Sequence, residues 1–158
     1  MSTKGRSTPR IVCCAIPIAR SAGKVLVVTS RKRPDIWLCE CYMEAFSKPP
    51  SEFSLMTSVS VPKGGWEPSD GELQAAALRE ALEEAGVRGQ ITRFVKTTYS
   101  PSATYHFYEL DVSGLDSDWP EAKERRREWV DYAEAIKRLE WKQELSEGLK
   151  MSTLAPRR

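Results

Sequence analysis

The sequence is poor in histidine, which limits the catalytic machinery that it can build. His106 is the one histidine among 158 residues, so any serine–histidine or cysteine–histidine pair would depend on it. A histidine between Tyr105 and Phe107 is more typical of a strand residue whose ring has a hydrogen-bond partner than of a catalytic group. The sequence therefore gives little support to nucleophilic catalysis of that kind.

Cysteine and long apolar runs are also scarce. The four cysteines occur as the pairs Cys13–Cys14 and Cys39–Cys41, without the spacing of a zinc site, and we expect them to be reduced. No apolar run approaches the roughly 20 residues that span a bilayer, and no segment has the pattern of a signal peptide. We therefore expect a cytosolic or nuclear protein with no membrane partner.

The chain also lacks an excess of charge of one sign. Its 24 basic and 22 acidic residues leave a formal charge of +2, so the total charge does not indicate a nucleic-acid partner, and none is expected. The length fits a single domain, and 41% hydrophobic residues are enough for a globular core.

The most informative stretch is a glycine turn followed by an acidic helix. Glu80, Glu83 and Glu84 have the i, i+3, i+4 spacing that places three carboxylates on one helix face, within reach of a common divalent cation. The alternative is a solvated acidic face. Arg79 is positioned to orient a carboxylate through a bidentate bond.

The ends and the packed face of this helix are also predicted. Ser69 with Glu72 has the spacing of a capping box, Asp70 is an alternative N-cap, and Gly86 marks the end. The expected apolar stripe, which packs while the acids point elsewhere, consists of Ala75, Leu78, Leu82 and Ala85.

The remaining pattern predicts paired strands and two short helices. Residues 11–18 and 25–29 form one expected strand pair, and residues 87–96 and 103–112 form another. A short strand follows Arg125, and helices follow around residues 133–139 and 145–149. We expect residues 1–9 to be a disordered basic arm, 10–150 to be the domain and 151–158 to be a flexible tail.

The glycine turn and acidic helix resemble the Nudix box. That pattern is Gly, five residues, Glu, seven residues, Arg-Glu, an apolar residue, any residue, Glu-Glu, any residue, Gly and an apolar residue. Gly65 and the residues from 79 to 87 fit it. The glutamate expected at 71 is Gly71, and Glu67 or Glu72 could approach a metal in its place.

The resemblance covers most of residues 10–149 and extends to the diphosphoinositol polyphosphate phosphohydrolases, their fungal members in particular. The segments that carry it are residues 10–12, 25–30 ahead of Trp37, 61–65, 107–110, 125–129 and 135–136. It implies an α/β Nudix fold, in which a mixed β-sheet is sandwiched between the catalytic helix and the C-terminal helices. It also implies hydrolysis of inositol pyrophosphates, diadenosine polyphosphates and inorganic polyphosphate.

The same resemblance implies the composition of the site. Mg²⁺, with Mn²⁺ as an alternative, would be held by Glu80, Glu83, Glu84 and the peptide group of Gly65, with Arg79 as a catalytic support. A phosphoanhydride needs its charge neutralised and a water placed in line, and which glutamate takes the proton stays open. The expected substrate-binding residues are Arg10, Arg31, Lys32, Arg33, Lys63, Gly64, Gly65, Arg125, Arg126 and Arg127.

Two other functions and one irregular segment remain open. The chain could hydrolyse another nucleotide, such as capped RNA or ADP-ribose, or it could be a non-catalytic polyphosphate-binding module. Residues 38–59 show no period and interrupt the family pattern after Trp37. They are either a flap over the substrate pocket or, as we prefer, a translated intron.

Overall fold

The computed structural model describes residues 8–30 and 59–157. Within these ranges a mixed, seven-stranded sheet carries helices on both faces. The strands are β1 (Arg10–Ala19), β2 (Lys24–Thr29), β3 (Val59–Ser60), β4 (Lys63–Gly65), β5 (Val87–Tyr99), β6 (Ala103–Leu115) and β7 (Arg127–Asp131). The α-helices are α1 (Leu73–Ala85), α2 (Tyr132–Leu139) and α3 (Gln143–Lys150).

Strand β1 is the centre of the sheet. The strand order is β3-β2-β1-β6-β5, with β1 parallel to β6 and the other neighbours antiparallel. The first half of β1 also pairs with β4, where Val12 lies opposite Gly65 and Cys14 opposite Lys63. This pairing places the glycine turn at the sheet beside the start of β1.

The alternation of β1 divides the core into two layers. Cys13 and Ala15 face α1, whereas Val12, Cys14 and Ile16 face α2 and α3, because successive strand side chains point to opposite faces. The expected sandwich of a mixed sheet between the acidic helix and the C-terminal helices is therefore confirmed.

Most of the predicted elements are confirmed. Strands β1 and β2 pair, and so do β5 and β6; helices α2 and α3 lie close to their expected positions. The ring of His106 contacts the hydroxyl of Thr97 at 2.9 Å, as expected for a strand histidine. Cys13 and Cys14 are free and buried, and burial raises the pKa of Cys13 to about 11. Among the described helices, none has the length and apolar character needed to cross a membrane.

The predicted cap of α1 is wrong. The capping box belongs to a 3₁₀ turn at Pro68–Asp70, where Glu67 and Asp70 exchange backbone and side-chain bonds. Helix α1 begins later, after Glu72, which makes no side-chain cap. Of the residues that the pattern assigned to the cap of α1, Asp70 instead caps the turn just before the helix. At the other end, Gly86 has φ of +62°, so the predicted stop is confirmed.

The predicted apolar stripe of α1 is confirmed at Ala85 and wrong at Ala75, Leu78 and Leu82, which are not buried. The buried apolar residues are all alanine, at positions 76, 77, 81 and 85, and Glu80 and Glu84 are buried with them. Leu78 is 36% exposed. Two of the acids therefore share the packed face instead of pointing away from it.

The sequence places residues 151–154 in a flexible tail, but Thr153 is bound to Glu109 of β6. The Thr153 amide donates to Glu109 Oε1 at 2.6 Å, and its hydroxyl donates to Glu109 Oε2 at 3.0 Å. Glu109 is fully buried and also accepts a bond from Arg20 at 3.0 Å. Because an unpaired buried carboxylate is costly, these bonds hold the segment after α3 to the sheet.

Several sequence predictions lie outside the described residues. These are the basic arm at residues 1–7, the basic turn of Arg31, Lys32 and Arg33, the cysteines Cys39 and Cys41, and residues 38–58 of the irregular segment. Val59, the last residue of that segment, is a buried residue of β3 and lies opposite Thr29 of β2.

Candidate active site at the acidic helix

Strand β4 brings the glycine turn against the acidic face of α1. At Gly64 an added Cβ would overlap the carboxylate of Glu80, so only glycine allows this approach. The guanidinium of Arg10 lies over Gly65 in the same way, with its Nη2 2.7 Å from the position of a Cβ. The pairing of β4 with β1 thus joins the turn, the acidic helix and Arg10 in one place.

Arg79 connects three groups of the predicted site with Asp70, which the sequence did not assign to the site. Its Nη1 donates to Glu80 Oε1 at 2.8 Å and to Glu83 Oε2 at 3.3 Å, and its Nη2 donates to the Gly65 carbonyl at 3.0 Å. The bidentate bond expected of Arg79 is made to a different carboxylate, that of Asp70, at 2.7 and 2.9 Å.

Asp70 stands next to the position where the box pattern has glutamate and this chain has Gly71. Its side chain also accepts a bond from the Glu67 amide at 2.9 Å. The bonds from Arg79 lower the pKa of Asp70, because they favour the charged form. Gly71 has φ of +72°, and a Cβ added there would meet no atom within 4 Å. The sequence pattern indicates Asp70 only as a helix cap. The glycine at 71, where the box pattern has glutamate, is the signal that could have identified the role of Asp70 in the site.

Glu84 has a separate set of partners. Its two carboxylate oxygens accept bonds from the Lys63 amide and from Arg125 Nη2, both at 3.1 Å. Burial raises the pKa of Glu84 to about 7, against the opposing effect of Arg125. Burial likewise raises the pKa of Glu80, against the effect of Arg79. Two desolvated carboxylates on one face are a setting in which a cation is favourable.

The loop from β6 to β7 closes the C-terminal end of α1. The carbonyl oxygens of residues 83–86 accept bonds, in order, from the Glu121 amide at 3.1 Å, Trp119 Nε1 at 3.1 Å, Arg127 Nη1 at 2.7 Å and the Asp116 amide at 2.8 Å. Arg127 also stacks 4.0 Å from the centroid of the Trp119 ring. These donors satisfy carbonyls that a helix end leaves free, so this loop fixes the acidic residues near that end.

The three consecutive arginines have protein partners in the structure. Arg125 binds Glu84, Glu121 and the Thr29 carbonyl, and Arg127 binds the end of α1. The backbone of Arg126 exchanges hydrogen bonds with Thr29. Arg125 and Arg127 thus bind α1 and hold it in position. Their predicted contact with substrate stays a prediction outside the proposed site.

A cavity of about 600 Å³ opens beside the glycine turn. Arg10, Lys63 and Gly64, which the sequence assigns to substrate, line it together with Tyr105 and Lys142. Burial lowers the pKa of Lys63, and the ammonium of Lys142 lies 5.0 Å from the centroid of the Tyr105 ring. Sequence reasoning misses Lys142 because it follows a helix far along the chain from Lys63, and no local pattern distinguishes it from a surface lysine.

The oxygen atoms of the site are of the kind that binds Mg²⁺, but in this structure they accept hydrogen bonds from arginine side chains. Hard oxygen ligands are those that Mg²⁺ prefers, and Glu80, Glu83 and the Gly65 carbonyl already surround one cationic group, the guanidinium of Arg79. Within residues 8–30 and 59–157, no group of three or more acidic, histidine or cysteine side chains is arranged to hold a metal ion. Arg79 joins Glu80 to Glu83, whereas Glu84 turns to Arg125.

The sheet, the helices on its two faces and the glycine turn beside the acidic helix define the class of protein. A NUDIX domain model matches residues 9–150, and the chain therefore belongs to the NUDIX domain family. The solved structure of a NUDIX hydrolase from Nitrosomonas europaea has the same fold. It superposes with a TM-score of 0.64 at 16% identity, covering 90% of this chain and 87% of that one.

Curated relatives come from plants and animals. The chain is 42% identical over 82 residues to Nudix hydrolase 21, chloroplastic, of Arabidopsis thaliana, and the match covers 48% of this chain and 41% of that protein. It is 33% identical over 122 residues to diphosphoinositol polyphosphate phosphohydrolase 3-alpha of Homo sapiens, covering 74% of this chain and 60% of that protein. The chain thus spans about half of the length of these relatives. The fungal subgroup and the cytosolic or nuclear location stay predictions.

Proposed function

We propose that this protein is a metal-dependent phosphoanhydride hydrolase of polyphosphorylated small molecules. The proposed substrates are diphosphoinositol polyphosphates, diadenosine polyphosphates and inorganic polyphosphate. The observation that carries the proposal is that two residues of the cavity lining contact the buried carboxylates of α1. The Lys63 amide binds Glu84, and Gly64 lies against the Glu80 carboxylate. Similarity to a human protein named for hydrolysis of diphosphoinositol polyphosphates supports it.

The proposed metal is Mg²⁺ or Mn²⁺, held by Glu80, Glu83, Glu84 and the peptide group of Gly65. When bound, it would neutralise phosphate charge and polarise the phosphoryl group. Arg79 Nη1 binds one oxygen of Glu80 and one oxygen of Glu83, and a carboxylate has further lone pairs with which it can bind a metal while Arg79 stays in place. The bidentate bond to Asp70 keeps the other edge of Arg79 in place.

The side chains of the cavity have a separate role in this proposal. Arg10, Lys63 and Lys142 attract the phosphates. The absence of a side chain at Gly64 lets the Glu80 carboxylate lie against the turn that lines the cavity. A glutamate of α1 accepts the proton of the attacking water. Arg125 and the Lys63 amide hold the carboxylate of Glu84 in its orientation.

A non-catalytic polyphosphate-binding module is the second candidate. It is favoured by one observation: arginines bind the carboxylates of Glu80, Glu83 and Glu84 in the structure. Against it, a binder of anions gains nothing from buried carboxylates beside its ligand, since like charges repel. The two candidates differ in turnover, not in binding.

A substrate panel tests the proposal. The protein is incubated with a diphosphoinositol polyphosphate, a diadenosine polyphosphate, inorganic polyphosphate, ADP-ribose and capped RNA, with Mg²⁺, Mn²⁺ or EDTA, and products are separated by chromatography. We expect metal-dependent cleavage of the first three. Preferred cleavage of ADP-ribose or capped RNA would assign another nucleotide substrate, and binding without cleavage would identify a binding module.

Glu84→Gln tests the assignment of roles. We expect it to lower the cleavage rate by about a hundredfold or more, because it removes a carboxylate that would bind the metal or accept the proton, while circular dichroism shows a folded protein. Glu140→Gln is the matched control, because Glu140 is exposed and outside the site, and it should keep the wild-type rate. Undiminished turnover in Glu84→Gln would contradict the role given to this residue.

A further inference from the structure

Trp141 presents an aromatic face to solvent between α2 and α3. It is 55% exposed. Its indole Nε1 donates to the Val59 carbonyl at 2.8 Å. That bond orients the ring and satisfies its polar group, so the exposed surface that remains is a pre-oriented apolar face.

This ring stands next to the cavity of the proposed site. The ammonium of Lys142 lies 6.0 Å from the Trp141 ring centroid and 5.0 Å from that of Tyr105. Tyr105 and Lys142 both line the cavity, together with Arg10 and Lys63. Trp141 does not itself line the described cavity, and the ammonium of its neighbour Lys142 connects its ring to the lining.

The chemistry of an indole selects among polyphosphates. A planar base stacks on an aromatic ring, and any base can do so because every base has a π-face. A phosphorylated inositol has no planar ring to stack and depends on cations. A lysine adjacent to the indole can bind a phosphate while the base attached to that phosphate chain covers the ring.

We propose that Trp141 is a stacking platform for a nucleobase, and that it makes nucleoside polyphosphates, such as diadenosine polyphosphates, preferred ligands of this cavity. The inference rests on the proposed function for the identity of the phosphate site. It assigns a specificity-determining residue whose effect is confined to ligands that carry a base.

A matched pair of ligands isolates the base. ATP and inorganic tripolyphosphate each carry three phosphates and differ in the nucleoside. Their binding to the full chain is measured by calorimetry in EDTA, so that no turnover occurs. We expect Trp141→Ala to weaken ATP binding about tenfold, the equivalent of 1.4 kcal/mol, and to leave tripolyphosphate binding unchanged. Trp141→Phe should retain most of the ATP affinity, because it keeps an aromatic ring.

Controls separate this inference from the proposed function. Tyr99→Ala removes another exposed aromatic residue, on β5, and should not affect either ligand. Equal weakening of both ligands by Trp141→Ala, or no weakening, would overturn the stacking role while leaving the phosphate site in place. If neither ligand binds the wild-type protein, the stacking role is wrong, and Arg10, Lys63 and Lys142 do not form a phosphate site without a metal.

Discussion

The two faces of the sheet are built from side chains of different size. On the α1 face, the buried apolar residues of the helix are four alanines. On the opposite face, α2 and α3 contribute Leu139, Leu145 and Leu149, which are fully buried with Phe107. Short side chains let α1 approach the sheet closely enough for Glu80 and Glu84 to be buried beside β4. The α1 face therefore positions the carboxylates, and the opposite face buries the large apolar side chains of the helices.

The largest expected effect comes from the leucine face. Leu145→Ala should lower the free energy of unfolding by about 2–5 kcal/mol, the usual cost of a large-to-small change in a core, as measured by urea denaturation. The activity per folded molecule should not change. Leu78→Ala, at a position that is 36% exposed, should change stability by about 0.5 kcal/mol or less. An inactive but stable Leu145→Ala protein would contradict this division between the faces.

On the α1 face, we expect substitution of Gly64 to have the largest effect on activity. Gly64→Ala places a methyl group on the Glu80 carboxylate, and displacement of that group should lower kcat/KM by about a hundredfold. Gly114→Ala is the matched control, because an added Cβ there has no neighbour within 4 Å, and it should behave as wild type. Full activity of Gly64→Ala would mean that β4 does not position Glu80.

A smaller effect is expected from the bond between Asp70 and Arg79. Because the folded-state pKa of Asp70 is lowered from its ordinary value of 3.8, its contribution to stability is present above pH 3.8 and is lost as the pH falls through the folded-state pKa. Asp70→Asn should therefore be less stable than wild type at neutral pH, and this difference should shrink in acid. Urea denaturation in EDTA across this pH range measures it.

Asp118→Asn serves as the control for Asp70, since Asp118 is an exposed carboxylate in the loop after β6. It should follow the wild-type stability curve at every pH. A constant difference between Asp70→Asn and wild type from neutral pH into acid would show that the ion pair with Arg79 does not carry the effect.

Local pattern predicts much of the fold and part of the site. The strand pairs are predictable because runs of apolar, β-branched residues favour a sheet, and Gly86 marks the end of α1 by its backbone freedom. The stripe of α1 is mispredicted because a hydrophobic pattern gives leucine more weight than alanine. Which of the two is buried depends instead on the distance between the helix and the sheet. Lys142 and Trp119 reach the site from distant segments, and no local spacing indicates such residues.

The sequence by itself determined the elements, the acidic helix and the family, because these depend on short-range periodicity and on fixed offsets along the chain. Only the tertiary structure decided that Glu84 binds Arg125 and that the bidentate bond of Arg79 goes to Asp70. Arg79 holds Glu80 and Glu83 while Arg125, 41 positions after Glu84, holds Glu84. The physical reason is that a buried charge is satisfied by whichever group the fold brings within hydrogen-bond distance, and that distance is independent of separation along the chain.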